Sequence, residues 1–156
     1  MKTKVNFIPP GYHTATPYLI INGAARALEF YKQAFGATEM VRMAGPDGKV
    51  GHAEIRIGDS QIMLADECPE MQARSPQALG GTPVSLMLYL EDSDSVIARA
   101  VSAGAKVLRP AQDQFYGDRS GTIADPFGHT WIIATHQEDV SPEEMRKRAA
   151  ALFAKK

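Results

Sequence analysis

The chain carries one pattern twice, and a repeat of this size constrains the fold more than any single motif does. The first copy reads Pro17-Tyr18-Leu19-Ile20-Ile21, then an amphipathic stretch from Ala24 to Phe35, then Gly36-Ala37 and a new strand. The second reads Leu86-Met87-Leu88-Tyr89-Leu90, then a stretch from Ser93 to Ala103, then Gly104-Ala105 and another strand. Each runs on through strand-like segments to a turn glycine and an apolar strand, Gly58 to Leu64 in one copy and Gly128 to Ile133 in the other. The expectation is an α+β fold in which two βαβββ repeats form paired curved mixed sheets around a cleft. Half a chain cannot bury both a helix face and a sheet alone, which is a physical reason to pair the copies. A cleft between paired sheets is where a ligand would lie. The repeats fall at residues 12–66 and 82–136 of a single domain, 12–136, with 67–81 as linker and a C-terminal helix over 141–156.

Helical spacing is clear at Ala24, Ala27, Leu28, Tyr31, Ala34 and Phe35, with Asn22 or Gly23 at the start and Gly36 as a stop that accepts the left-handed conformation. In the second copy Asp92-Ser93-Asp94 caps free amides and opposes the helix dipole, Val96, Ile97, Ala100 and Val101 form the stripe, and Gly104 ends it. The tail begins Ser141-Pro142-Glu143-Glu144, a Ser cap with Pro in the first turn and Glu three residues on. Its stripe of Met145, Ala149, Leu152 and Phe153 needs something to dock on, in its own domain or in a second subunit. Among the strands, Ala53, Ile55 and Ile57 share one face, while Val50, His52, Glu54 and Arg56 share the other.

Composition then narrows the functional classes. The formal net charge is -1 with both signs interspersed, which gives no electrostatic footprint for nucleic acid or an anionic membrane. No apolar run approaches membrane-spanning length. The lone Cys68 excludes an intramolecular disulfide and Cys-based zinc motifs and suits a reducing compartment. The start, Met1-Lys2-Thr3-Lys4, leads to Pro9-Pro10-Gly11 rather than to an apolar signal core. A cytoplasmic protein that binds neither nucleic acid nor membrane is expected.

Two spaced motifs, Ala27-Leu28-Glu29-Phe30-Tyr31 before Phe35-Gly36-Ala37 and Asp125-Pro126-Phe127-Gly128-His129 before the last strand, join the repeat in a sequence that resembles the vicinal oxygen chelate superfamily. That group includes glyoxalase I, bleomycin-resistance proteins, fosfomycin-resistance enzymes and extradiol dioxygenases. Val50-Gly51-His52-Ala53-Glu54 and Phe115-Tyr116-Gly117-Asp118-Arg119-Ser120-Gly121 are similar to its phosphonate-operon-associated, demethylubiquinone-methyltransferase-like branch. No glycine-rich strand-to-helix turn with a downstream acid supports a methyltransferase activity.

The resemblance implies a homodimer. It also implies where metal-dependent members would place His and Glu ligands, on the first and last strands of each unit. Here those positions carry Thr16, Met63 or a neighbour, Ser85 and Ile132. A hard or borderline divalent ion needs nitrogen or anionic oxygen, which a thioether or a methyl group cannot supply. No metal and no other cofactor is expected.

His52 and Glu54 form the candidate catalytic pair, able to move protons without a metal. The bland reading is a polar sheet surface on which Arg56 pairs Glu54. In the 115–121 segment, Tyr116 and Arg119 are candidate ligand contacts, since Arg119 can grip a carboxylate or phosphonate with a forked pair of bonds. The competing reading is a local Asp118 to Arg119 pair. Tyr18, Met87 and Tyr89 share the parity of Thr16 and Ser85 and give an adaptable apolar wall. Trp131 reads as core, His129 as a solvent-facing hairpin residue, and His13 and His136 carry little weight.

Three readings follow. The first is a metal-free, bleomycin-resistance-type protein that binds a small organic molecule. The second is a glyoxalase-like lyase or isomerase, or a transferase, acting on a small organic acid. The third is a structural dimer with a vestigial pocket.

Overall fold

The computed structural model describes residues 5–154; the Met1-Lys2-Thr3-Lys4 start and the last two positions of the expected C-terminal helix lie outside them. The chain divides into two compact units between Gly81 and Thr82. In the first, β1 (Tyr18–Ile21), α1 (Ala24–Phe35), β2 (Thr38–Ala44), β3 (Val50–Ile57) and β4 (Ser60–Asp66) follow one another. Their four-stranded sheet has the order β1-β4-β3-β2, with β1 parallel to β4 and the other pairs antiparallel. The segment 67–81, expected as plain linker, holds a 3-10 turn at Pro69–Met71, an isolated bridge between Cys68 and Ala73, and the single-turn α2 (Pro76–Leu79).

The second unit repeats this plan. Its elements are β5 (Ser85–Tyr89), α3 (Ser93–Ser102), β6 (Lys106–Asp113), β7 (Asp118–Ala124) and β8 (Thr130–His136), in a sheet of order β5-β8-β7-β6. A C-terminal helix, α4 (Pro142–Phe153), follows. Among the described residues no helix is long and apolar enough to cross a membrane.

α1 and α3 each lie on one face of their own sheet because the two periodicities agree. Ala24, Ala27, Leu28, Tyr31, Ala34 and Phe35 are buried on α1, and Ala53, Ile55, Ile57, Ile62 and Leu64 are buried on β3 and β4. In the second unit Val96, Ile97 and Ala100 of α3 are buried, as are Ile123, Trp131 and Ile133 of the sheet. Trp131 is core, as its parity requires, and its Nε1 donates to Asp125 Oδ2 at 2.8 Å. The other oxygen of Asp125 accepts from the amides of Phe127 and His129 at 2.9 and 3.0 Å. One buried carboxylate therefore ties the 125–129 turn to the core, and His129 is half-buried rather than solvent-facing.

α3 starts as expected, with Asp92 Oδ1 accepting from the amide of Ser95 at 3.1 Å, and α1 starts after Gly23 but takes its cap from elsewhere. Gly23 precedes α1 in the left-handed conformation, and no side chain at Asn22 or Gly23 caps the helix. The cap comes from β4: Asp66 Oδ1 accepts from the amides of Gly23 and Ala24, each at 2.9 Å, while Oδ2 accepts from the amide of Val50 at 2.8 Å. The second unit does the same with Thr135 of β8, whose hydroxyl accepts from the amide of Ser93 and donates to the carbonyl of Leu90, both at 2.8 Å. Met63 pairs with Tyr18 and Ile132 with Met87, so Asp66 and Thr135 occupy matching places three residues further on.

The lead-in to α4 is fixed on the β6–β7 turn. The amides of Gln137 and Glu138 both donate to the carbonyl of Gly117, at 2.9 and 3.0 Å. Gly117 has φ 98°, and an added Cβ would sit 2.1 Å from the carbonyl oxygen of Glu138, so only glycine fits there. Arg148 on α4 then grips Glu138 with two bonds of 2.8 Å.

Candidate functional site

The face of the first sheet turned away from α1 carries Tyr18 and Ile20 from β1, His52, Glu54 and Arg56 from β3, and Met63 from β4, because side chains alternate along each strand. Tyr18, Met63 and Glu54 lie in one row across the sheet. Met43 stands opposite His52 on β2.

Three of these polar groups, joined by Tyr12 from the segment before β1, form one chain of hydrogen bonds. Tyr18 Oη lies 2.9 Å from His52 Nδ1, and His52 Nε2 lies 3.0 Å from Glu54 Oε1. The other oxygen of Glu54 accepts from the hydroxyl of Tyr12. Hydrogen bonds from His52 first and Tyr12 second hold the Glu54 carboxyl below the usual carboxylate range. Burial, then the bond to Glu54, pushes the Tyr12 phenol up to about 12, so it stays a neutral donor. An ionised Glu54 only accepts, which requires the proton of a neutral His52 on Nε2 and leaves Nδ1 to accept from Tyr18. The expected partner of Glu54, Arg56, is replaced in this arrangement by His52 and Tyr12.

Beside this chain lies a cavity of about 650 Å³ bounded by Tyr18, Ile20, Met43, Ala65, Cys68 and Met71, among others. Its wall is mostly apolar, with Asp47, Lys49 and Glu67 on it. Tyr18 is the member of the hydrogen-bonded chain that reaches this cavity.

The second unit has its own polar group. Tyr89 Oη donates to Asp118 Oδ2 at 2.9 Å, Asp118 Oδ1 lies 2.7 Å from His136 Nδ1, and His136 Nε2 lies 2.9 Å from Asp139 Oδ1. Asp118 is buried, whereas Met87 and Tyr89 are exposed. Hydrogen bonds to Asp118, then to Asp139, raise the His136 imidazolium above its ordinary 6.5. Tyr116 packs edge-on against Phe115 with ring centres 5.2 Å apart.

Arg119 is already engaged by carboxylates of its own unit. It lies in β7 on the α3 side, where its Nε meets Asp94 Oδ2 at 2.5 Å, its Nη2 meets Asp94 Oδ1 at 3.0 Å, and its Nη1 meets Asp113 at 3.0 Å. The anticipated Asp118 to Arg119 pair gives way to these bonds, because neighbouring strand residues point to opposite faces. Tyr18, His52 and Glu54 are thus brought together in the first unit, as are Tyr89 and the turn beside Tyr116 in the second, where Arg119 lies on the α3 side of the sheet. Tyr12 and Asp139 were not singled out in the sequence, Asp118 was considered only as a partner of Arg119, and His136 was given little weight. Tyr12 lies outside any periodic segment, and only the pairing of Asp118 with His136 across β7 and β8 signals the second group.

The donor set does not fit a divalent cation at the positions the resemblance implies. Met63 offers a thioether and Ile132 a hydrocarbon. Both ring nitrogens of His52 are already engaged, by Tyr18 and Glu54. Among the described residues no three His, Cys, Asp or Glu side chains are placed to share an ion.

Comparison with known proteins places the chain. The profile of the Glyoxalase/Bleomycin resistance protein/Dioxygenase superfamily matches residues 12–133. An uncharacterised protein of Mycobacterium bovis is 42% identical over 134 residues, covering 84% of this chain and 88% of the relative. The crystal structure of an Arabidopsis thaliana gene product superposes with a TM-score of 0.63 at 27% identity, covering 79% of this chain and 98% of that one. The PhnB protein of Bacillus cereus, which bears the name of a 3-demethylubiquinone-9 3-methyltransferase, superposes with a TM-score of 0.62 at 18% identity, covering 79% and 99%, and shares the fold.

Proposed function

The chain belongs to the Glyoxalase/Bleomycin resistance protein/Dioxygenase superfamily, and from that premise we propose that it binds a small organic molecule with an apolar body, without the metal that other superfamily members hold. The observation that carries this reading is the Tyr18–His52–Glu54–Tyr12 chain at the edge of a 650 Å³ cavity with apolar walls. A few convergent polar groups against an apolar wall fix the orientation of a ligand, and the volume suits one of drug-like size. Met43 and Met71 adapt to its shape.

Charge bears on the ligand class. Asp47 and Glu67 outnumber Lys49 on the cavity wall, which favours a neutral or cationic ligand over an organic acid. In the second unit Met87, Tyr89 and Tyr116 offer a further apolar surface. Arg119 contributes there only if a ligand carboxylate displaces Asp94 or Asp113 from its guanidinium.

Native mass spectrometry of tag-free protein tests the reading. A copurifying small molecule is expected, with no stoichiometric metal by elemental analysis. The Tyr18→Ala and Met43→Ala variants should each bind the released and identified molecule at least about tenfold more weakly, as loss of a large side-chain contact implies. Unchanged affinity in both would place the site elsewhere.

A further inference from the structure

We propose that His136 is a proton-operated latch on the C-terminal helix. Protonated, its ring bridges the buried Asp118 of β7 to Asp139 in the segment that leads into α4, and so holds that helix to its own unit; neutral, it lets Asp139 go and α4 docks less firmly.

Imidazole chemistry makes the bridge conditional. His136 Nδ1 lies 2.7 Å from Asp118 Oδ1, and Nε2 lies 2.9 Å from Asp139 Oδ1. Both partners are carboxylate oxygens, which only accept, so both ring nitrogens must donate, and only the imidazolium carries two N–H groups. A neutral ring has one proton for two acceptors and sets a lone pair against the other carboxylate. The two ends are unequal. Asp118 is 4% exposed and its second oxygen already takes the Tyr89 hydroxyl at 2.9 Å, whereas the Asp139 side chain is wholly exposed. Water replaces the ring at Asp139 far more cheaply than at Asp118, so the neutral ring keeps its proton on Nδ1 and the contact it loses is the one to the lead-in.

That contact sits at the foot of a helix with little else to hold it. No residue of α4 is fully buried. The other ties are the Gln137 and Glu138 amides on the Gly117 carbonyl, and Arg148 on Glu138, Glu144 and the Phe115 carbonyl. None of these titrates near neutrality, since Arg148 is held charged and the Glu138 carboxyl lies below its ordinary range. The groups that face His136 are therefore Asp118 from β7, Asp139 from the lead-in and, through Asp118, Tyr89 from β5 with Tyr116 acting on it, while Glu138 and Arg148 engage each other. Hydrogen bonds to Asp118 first and Asp139 second favour the imidazolium above the ordinary 6.5. The latch is thus closed below that value and opens as pH rises through the folded one.

Amide hydrogen exchange of the full chain, read by mass spectrometry, tests this. Peptides from residues 137–153 are followed, with each pH corrected by the same peptides free in solution. Between about pH 5.5 and about 9 their protection should fall about threefold, the scale of one exposed charged contact, while peptides from α3 in the same unit change little. Asp139→Asn separates the latch from a general loss of stability. Its amide accepts from the imidazolium and donates to the neutral ring, so the contact survives in both states and protection should be flat across pH. His136→Gln, which does not titrate, should be flat as well. Protection of residues 137–153 that ignores pH in the unsubstituted protein overturns the latch, as does a fall shared equally by α3 or one that persists undiminished in Asp139→Asn.

Discussion

His136 joins the buried Asp118 to Asp139 just before α4. Its imidazolium is favoured in the folded protein by those two carboxylates, so its pKa lies above the ordinary 6.5. A group raised on folding contributes its full stabilisation below the unfolded value and loses it as pH rises through the folded one. The difference in melting temperature between the protein and its His136→Gln variant should therefore be largest below pH 6.5 and shrink steadily above it. Thermal melts across that range check this, and a difference that grows with pH would contradict it. Glu54 has the opposite sign: its pKa is lowered, so its contribution fades only in acid, below the ordinary 4.5. The two groups can thus be separated by pH alone.

Asp66 is the clearest case of an element fixed by a distant residue. It satisfies two free amides at the start of α1 and a third at Val50, joining the helix, β3 and β4 through one carboxylate. Asp66→Ala should cost about 2 kcal/mol in urea unfolding, and Asp66→Asn, which keeps one acceptor, should cost less. An effect near zero for the alanine variant would mean that water replaces the cap freely. Local patterning made the elements legible in the sequence: the α1 and α3 stripes, the Ser141 cap, whose hydroxyl accepts from the amide of Glu144, and the inward face of β3 were all readable from spacing. The caps at Asp66 and Thr135 were not, since a hydrogen bond across more than 40 residues leaves no periodic trace. The site divides the same way. His52 and Glu54 share a strand and could be paired by parity, but Tyr12 reaches them from 42 residues away. Arg119 was assigned to a ligand because its pairing with Asp94, 25 residues away on α3, leaves no trace in the local sequence.

At the scale of the whole molecule the question is what covers the apolar surface left by two small units. Tyr18, Met43, Met87 and Tyr89 are exposed on strands, and Leu152 and Phe153 are exposed on α4, where no residue is buried. An amphipathic helix held in place by Gly117 and Arg148, with Met145 and Ala149 only half-buried, has its position fixed before it has a partner. Single exposed apolar residues need no explanation, but a stripe on an anchored helix is the kind of surface that a second copy covers by symmetry. A homodimer is therefore expected, with light scattering at micromolar concentration giving twice the 17.0 kDa chain mass. The doubly substituted Leu152→Glu, Phe153→Glu variant separates this from other routes to a dimer. If α4 forms the interface, the variant should run as a monomer with its far-ultraviolet circular dichroism preserved, because those two side chains are largely exposed within the chain. A wild-type monomer would remove the dimer, and a variant that stays dimeric would move the interface to the strands that carry Tyr18, Met87 and Tyr89.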